Sequence, residues 1–233
     1  MGLKSYIQAR LARKKPPAPR TPFEEVRARF EAVMAAKLHD SPLDVGFEKR
    51  VDSLLEQMLT AIEEVRVAAN DYPNHPIRGD VWVDGASYSA MAHSLMLRLR
   101  SLGLLQAEAH ASELWARATL AVMSHYRHEV GPAMLANADC CERLGNVQRA
   151  ALIYGAIIAD FRLLTDDDGD AAESVSEEDA VALTSLASAL KSRLRLEPAH
   201  PEASEWSDLL ARATALLARV PGSVETPKGG TAP

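Results

Sequence analysis

Cysteine is nearly absent from this chain of 233 residues, and the only two cysteines, Cys140 and Cys141, are adjacent. Because neighbouring cysteines rarely form a disulfide, we expect two free thiols that pack as small residues in a reducing compartment. No Cys-x-x-Cys or His-Glu-x-x-His motif occurs, so the usual zinc ligand spacings are missing. The sequence therefore predicts neither a disulfide framework nor a metal site.

Long apolar runs and the common catalytic motifs are also missing. No apolar run approaches the roughly 18 residues of a membrane-spanning helix, and the N-terminus lacks the apolar core of a secretion signal. No glycine-rich phosphate loop and no Gly-x-Ser-x-Gly elbow occurs. The formal net charge is -6, which disfavours a general attraction to nucleic acid. We expect a cytoplasmic, non-enzymatic protein without a cofactor.

What the sequence does contain favours helices. Hydrophobic residues make up 47% of the chain but aromatic residues only 5%. Alanine and leucine dominate and runs of β-branched residues are scarce, which favours helices over strands. Apolar residues recur at spacings of three and four over much of the region 21–220. This pattern predicts an all-α domain of about eight helices, arranged as antiparallel hairpins.

The clearest helical pattern lies in residues 131–164. Two apolar-periodic segments meet at Leu144-Gly145-Asn146, and Gly145 permits the left-handed backbone that ends a helix. In the segment after the turn, the spacing places Val147, Ala150, Ala151, Tyr154, Ile157, Ile158 and Phe161 on one face of a helix. We interpret the stretch as a tight helical hairpin, and we expect Gly145→Val to disrupt its turn.

This hairpin resembles a tetratricopeptide repeat over one unit of roughly 34 residues. The residues that carry the resemblance are Leu144-Gly145-Asn146, Ala150, Tyr154 and Ile157 after the turn, and Ala138 and Cys141 before it. The positions that depart from the repeat are Met134 for a typical Trp, Asn137 for a typical Leu, and Asp160-Phe161 without a following Pro. The resemblance implies a short α-solenoid of stacked hairpins that binds proteins or peptides.

In tetratricopeptide proteins the first helix of each repeat lines a concave groove. The resemblance therefore makes Asp139, Glu142 and Arg143 candidates for partner binding, since they lie on one predicted exposed side of such a helix. The alternative is an ordinary solvated charged face. On the first interpretation, Arg143→Ala spares folding and weakens partner binding.

Two segments interrupt the helical pattern. Residues 70–86 contain several prolines and glycines and predict a long loop, which offers Tyr72 and Trp82 as further partner-binding candidates. Trp82 has an alternative role, packing the loop onto the hairpins. Residues 165–176 predict an acidic loop whose charges favour the N-terminus of the next helix.

The two ends of the chain differ from the helical region. Residues 221–233 are rich in Gly, Pro and polar residues and predict a disordered tail. Residues 1–20 have no acidic residue and are proline-rich at their end. The basic residues of this segment are Lys4, Arg10, Arg13, Lys14, Lys15 and Arg20. It is either a solvated tail or a basic amphipathic anchor for an anionic membrane surface or an acidic partner.

The best candidate metal ligands are His125, His128 and Glu129, joined by His93 and His110 only if the hairpins stack suitably. Three functions therefore remain open. The leading one is a cytoplasmic scaffold or adaptor that binds a partner protein segment in a helical groove. The second is a membrane-peripheral or complex-assembly subunit tethered through residues 1–20. The third is a helical enzyme that uses the histidines and the 70–86 loop.

Overall fold

The computed structural model describes residues 22–36, 45–70, 79–121, 123–165 and 175–220, and these ranges are helical with short connections and no strand. The helices are α1 (Pro22–Ala35), α2 (Val45–Asn70), α3 (Gly79–Ser101), α4 (Leu105–Ala121), α5 (Met123–Arg143), α6 (Val147–Phe161), α7 (Glu177–Leu196) and α8 (Ala203–Leu217). A short 3₁₀ helix, Arg162–Thr165, follows α6. The all-α prediction is confirmed for these ranges.

The chain divides into two compact units, Met1–Ala61 and Ile62–Pro233. In the first unit, α1 buries Val26 and Val33, and the early part of α2 buries an apolar stripe. That stripe consists of Phe47, Val51, Leu54, Leu55 and Met58. A hydrogen bond of 3.2 Å from Arg29 to the hydroxyl of Ser53 joins the two helices.

In the second unit, each helix from α3 to α8 packs against the next one along the chain, and α5 also packs against α7. The helices α5 to α8 share a continuous apolar core that includes Tyr154, Phe161, Leu186 and Trp206. Only three residues connect α3 to α4, and three connect α5 to α6. Connections this short make consecutive helices pack antiparallel, as in a helical hairpin.

The predicted turn at Gly145 is confirmed. Gly145 has a φ of 79°, in the left-handed region. Its amide donates to the carbonyl of Glu142, and the amide of Asn146 donates to that of Cys141, both at 2.8 Å. This is a Schellman motif, which satisfies carbonyls at the end of α5. The side chain of Asn146 then caps α6 by accepting from the amide of Arg149 at 3.3 Å.

The turn between α3 and α4 is built in the same way. Gly103 has a φ of 71°, its amide donates to Arg100, and the amide of Leu104 donates to Leu99. At α7, Ser176 accepts a hydrogen bond of 3.1 Å from the amide of Asp179, so the predicted N-terminal capping by this acidic segment is confirmed at Ser176.

The prediction of a loop over residues 70–86 is wrong from Gly79 onward, because α3 begins there. The loop prediction depends partly on Gly79 and Gly85, but an isolated glycine costs a helix only about 1 kcal/mol. Burial of the residues that follow, Tyr88, Met91, Ala92 and Leu95, outweighs such a penalty.

Gly131-Pro132 does not interrupt a helix, although a glycine followed by a proline is a typical helix break. α4 ends at Ala121, and α5 runs from Met123 through Pro132. Gly131 is buried, and a Cβ there would lie 3.1 Å from the ring of Phe161 and closer still to Ser185. The missing side chain therefore permits the close packing of α5 against α7.

Candidate functional site

One face of α4 carries an unusual stripe of buried residues. Glu108, Ser112, Trp115 and Thr119 follow one another at spacings of four, three and four, which places them on one side of the helix. Three of the four are polar, and Glu108 has 0% of its surface exposed. Because α3 and α5 both pack against α4, the stripe contacts both neighbours. Apolar spacing in the sequence gives no sign of the polar members of this stripe, because it marks only the apolar positions of α4.

At one end of the stripe, two arginines converge on the buried carboxylate of Glu108. Nε of Arg100 donates to Oε1 of Glu108 at 2.6 Å, and Nη1 of Arg143 donates to the same atom at 2.7 Å. Asp139 lies 3.7 Å from Arg100 and 3.6 Å from Arg143. The cluster therefore joins α3, α4 and α5 through two cations and two anions.

The protonation of Glu108 reflects two opposed effects. Burial by itself raises the pKa of Glu108, but the hydrogen bonds and charges of Arg143 and Arg100 outweigh burial and hold that pKa below its ordinary value. Glu108 is therefore a carboxylate at neutral pH, and the cluster carries no net charge.

The middle of the stripe is a chain of neutral polar contacts. Asn137 donates to the hydroxyl of Ser112 at 3.2 Å, and that hydroxyl donates to the carbonyl of Ala109 at 2.7 Å. Cys140 lies 3.5 Å from Oε1 of Glu108. Burial raises the pKa of Cys140, as it does for Cys141, and both are free. Both are therefore buried, protonated thiols at neutral pH.

At the other end of the stripe, a cavity of about 410 Å³ opens between α3, α4, α5 and α7. The apolar residues that line it are Ala86, Ala90, Trp115, Pro132 and Val181. The polar ones are Ser89, His93, His128 and Glu129. The ring of His93 stacks on that of Trp115, with centroids 4.0 Å apart and planes at 9°. Ser89 shares a hydrogen bond of 3.0 Å with Thr119.

The cavity and the charged cluster lie at the two ends of the α4 stripe, and we call the region between them the α3–α5 groove. Its walls are α3 and α5. Of the α4 stripe, Trp115 lines the cavity, whereas Glu108, Ser112 and Thr119 have no exposed surface. Leu97 follows His93 by one helical turn, and 48% of its surface is exposed. The contact between Arg100 and Asp139 lies beyond Leu97 and bridges the two walls.

The residues predicted to bind a partner do not all lie together. Asp139, with 55% of its side chain exposed, and Arg143 lie at the charged end of the α3–α5 groove. Glu142 points elsewhere: it accepts a hydrogen bond of 2.7 Å from Tyr154 and pairs with Arg195 at 2.5 Å. Its side chain is only 18% exposed, so it belongs to the packing of α5 against α6 and α7.

The remaining candidates lie outside the described residues. Tyr72 and the basic residues Lys4, Arg10, Arg13, Lys14, Lys15 and Arg20 fall there. Trp82 belongs to α3 by its backbone, but the placement of its side chain is not described.

The candidate metal ligands are partly brought together. His93, His128 and Glu129 line the same cavity, whereas His110 lies on exposed surface of α4 outside that lining. The side chain of His125 is outside the described part. Within that part, no group of three His, Cys, Asp or Glu residues is placed to hold a metal ion. Nor is any helix there long and apolar enough to cross a membrane.

Comparisons with protein-family models, with curated proteins and with solved structures gave no match to this chain. The resemblance to tetratricopeptide repeats therefore stays a prediction.

Proposed function

We propose that this chain is a non-catalytic scaffold or adaptor of tetratricopeptide-like type, which binds a segment of a partner protein in the α3–α5 groove. The observation that carries the proposal is the cavity of about 410 Å³ at one end of that groove. Its volume lies within the roughly 300–1,000 Å³ of typical ligand pockets, and its lining is mostly apolar with a few polar groups.

The order of the helices supports the same proposal. In a stacked array of hairpins, α3, α5 and α7 are the first helices of successive pairs, and all three line the cavity. The resemblance implies that such helices form the binding surface. α5 and α7 pack directly, whereas the cavity lies between α3 and α5. An extended partner segment would fill this space.

Two polar groups of the cavity make packing contacts, which supports the non-catalytic proposal. Ser89 is hydrogen-bonded to Thr119, and His93 is stacked on Trp115. His128 lies 4.0 Å from Glu178, on α7. A nucleophile needs an adjacent base within about 3.2 Å, and these contacts make no such pair.

The test is to block the groove. Ala90 is exposed and lines the cavity, so Ala90→Arg places a long cation where the partner segment would lie. The matched control is Ala156→Arg at an exposed position of α6, which does not line the cavity. We expect affinity purification from the native host to lose the partner with Ala90→Arg and keep it with Ala156→Arg. A partner that survives both changes, with normal helicity in each variant, contradicts the proposal.

A second function is favoured by the six basic residues and no acidic residue of the segment 1–20. We propose, as the alternative, a peripheral or assembly subunit tethered through this segment to an anionic membrane surface or an acidic partner. Flotation of the full chain with phosphatidylserine vesicles tests the membrane form. Binding that is unaffected by salt, or by changing Lys4, Arg10, Arg13, Lys14 and Lys15 to Gln, contradicts it.

A further inference from the structure

We infer that the partner segment is basic: an aromatic or large apolar side chain flanked by Lys or Arg. This inference rests on the proposed function and specifies the partner of the same groove. The flanked side chain enters the cavity, and the neighbouring cations lie against the carboxylates at its mouth.

The lining of the cavity selects the buried part of the segment. Trp115, Pro132 and Val181 provide apolar surface from three different helices, and Ala86 and Ala90 leave space on the fourth. Burying an aromatic side chain removes about 150–250 Å² from water, which makes such residues the usual anchors of peptide complexes. The cavity volume of about 410 Å³ admits one such side chain with part of its backbone.

The carboxylates next to the cavity opening favour Lys or Arg on either side of this anchor residue. Glu129 lines the cavity, and no described cation pairs with it. Glu177 and Glu178 precede Val181 by four and three residues, so they lie on the same side of α7, next to the cavity. The side chain of Glu178 is 77% exposed and its one described ion-pair contact is with His128. Glu129 thus lines an opening that Glu177 and Glu178 adjoin, and the described lining of this opening contains no Lys or Arg.

The helix dipole does not reverse this charge. The N-terminus of α7 carries roughly half a positive charge, whereas its first turn contains three carboxylates, Glu177, Glu178 and Asp179. At the far end of the groove, Arg100 and Arg143 are balanced by Glu108 and Asp139. Among the described residues, the cavity mouth is therefore the part of the α3–α5 groove with net charge, and that charge is negative.

Three fluorescein-labelled peptides test the inference on the full chain by fluorescence anisotropy. The sequences are Arg-Arg-Trp-Arg-Arg, its charge-reversed form Glu-Glu-Trp-Glu-Glu, and Arg-Arg-Gly-Arg-Arg without the anchor. We expect the first peptide to bind with a Kd below about 1 mM, and each of the others to bind about tenfold more weakly. Equal affinity for the basic and acidic peptides, or no saturable binding of the first, overturns the inference.

Charge reversal of the protein locates the binding. In the double variant Glu129→Lys with Glu178→Lys, the affinity for the basic peptide is expected to fall by about tenfold. The matched control is Glu25→Lys with Glu48→Lys, at exposed positions in the other unit, because it changes the net charge by the same amount. If the two double variants lose the same affinity for the basic peptide, overall charge explains the loss and the inference is wrong.

Ala90→Arg, compared with Glu129→Lys and Glu178→Lys together, distinguishes where the native partner binds from whether that partner is basic. If Ala90→Arg removes the native partner while Glu129→Lys with Glu178→Lys leaves it bound, the groove is the binding site and the basic partner is wrong. If neither change affects the native partner, both proposals are wrong.

Discussion

The guanidinium of Arg143 donates a hydrogen bond of 2.7 Å to Glu108, a carboxylate with no exposed surface. The sequence predicts for Arg143 either a contact with a partner or a solvated position, and neither gives it a role in the fold. Its contact with Glu108 joins α5 to α4 and gives the residue a part in stability as well. The same contact places Arg143 at the charged end of the α3–α5 groove.

We predict that Arg143→Ala lowers the free energy of unfolding by about 1–2 kcal/mol. In this variant Arg100 still donates to Oε1 of Glu108. The hydrogen bond from Arg143 is lost, and Oε2 of Glu108 has no described partner that would compensate for it. Urea unfolding measures the change. Arg27→Ala, in an exposed pair with Glu31, is the control and is expected to cost less than about 0.5 kcal/mol. Equal costs for the two variants would contradict the prediction.

The ionisation of Glu108 predicts a dependence of stability on pH. Because the pKa of Glu108 is lowered in the folded protein, its contribution is present above the ordinary value of 4.5 and is lost as the pH falls below it. In Glu108→Gln that contribution is absent at every pH. We therefore expect the difference in Tm between the wild type and Glu108→Gln to shrink from pH 7 towards pH 3. Parallel Tm profiles for the two proteins would show that Glu108 does not titrate as described.

Two helical glycines, one at the contact of α5 with α7 and one with free space around it, are expected to respond oppositely to substitution by alanine. Gly131→Ala brings a Cβ into Ser185 and the ring of Phe161, so we expect a loss of about 1–3 kcal/mol. Gly155, inside α6, has no atom within 4 Å of the position of its Cβ, and Gly155→Ala is expected to gain about 0.5–1 kcal/mol. Thermal unfolding of both variants measures the difference.

A second-site change identifies the cause at Gly131. Ser185→Gly removes the two nearest of the three atoms that the new methyl group meets and leaves the ring of Phe161, so in the double variant the two changes are expected to cost less than their sum. Strict additivity would place the cause of the loss elsewhere.

The positive φ of 79° at Gly145 predicts a cost that depends on backbone conformation rather than on space. No atom lies within 4 Å of a Cβ at Gly145, so a small side chain meets no steric contact there. We expect Gly145→Ala to cost about 1–2 kcal/mol, Gly145→Asn less, and Gly145→Val the most, since left-handed backbone is worst for β-branched residues. Denaturant unfolding of the three variants tests this order, and equal costs would contradict it.

The sequence alone determined the local features of this protein. Apolar spacing predicted the helical face of Ala150, Tyr154 and Ile157. Gly145 marked a helix end, and the acidic segment 165–176 marked a helix start. These features follow from the rise of the helix, the left-handed preference of glycine and the hydrogen bond of a cap, all of which act within a few residues.

Tertiary structure decided the rest. Gly79, Gly85 and Gly131-Pro132 carry the local signals that break helices, but packing across α3, α5 and α7 outweighs those signals. The pairing of Glu108 with Arg100 and Arg143 spans up to 35 residues of sequence, and the cavity joins side chains from four helices. Such contacts have no local signature, because residues far apart in the chain meet only when the helices pack side by side. The groove to which we assign the function is therefore a property of the packed helices, not of any one motif.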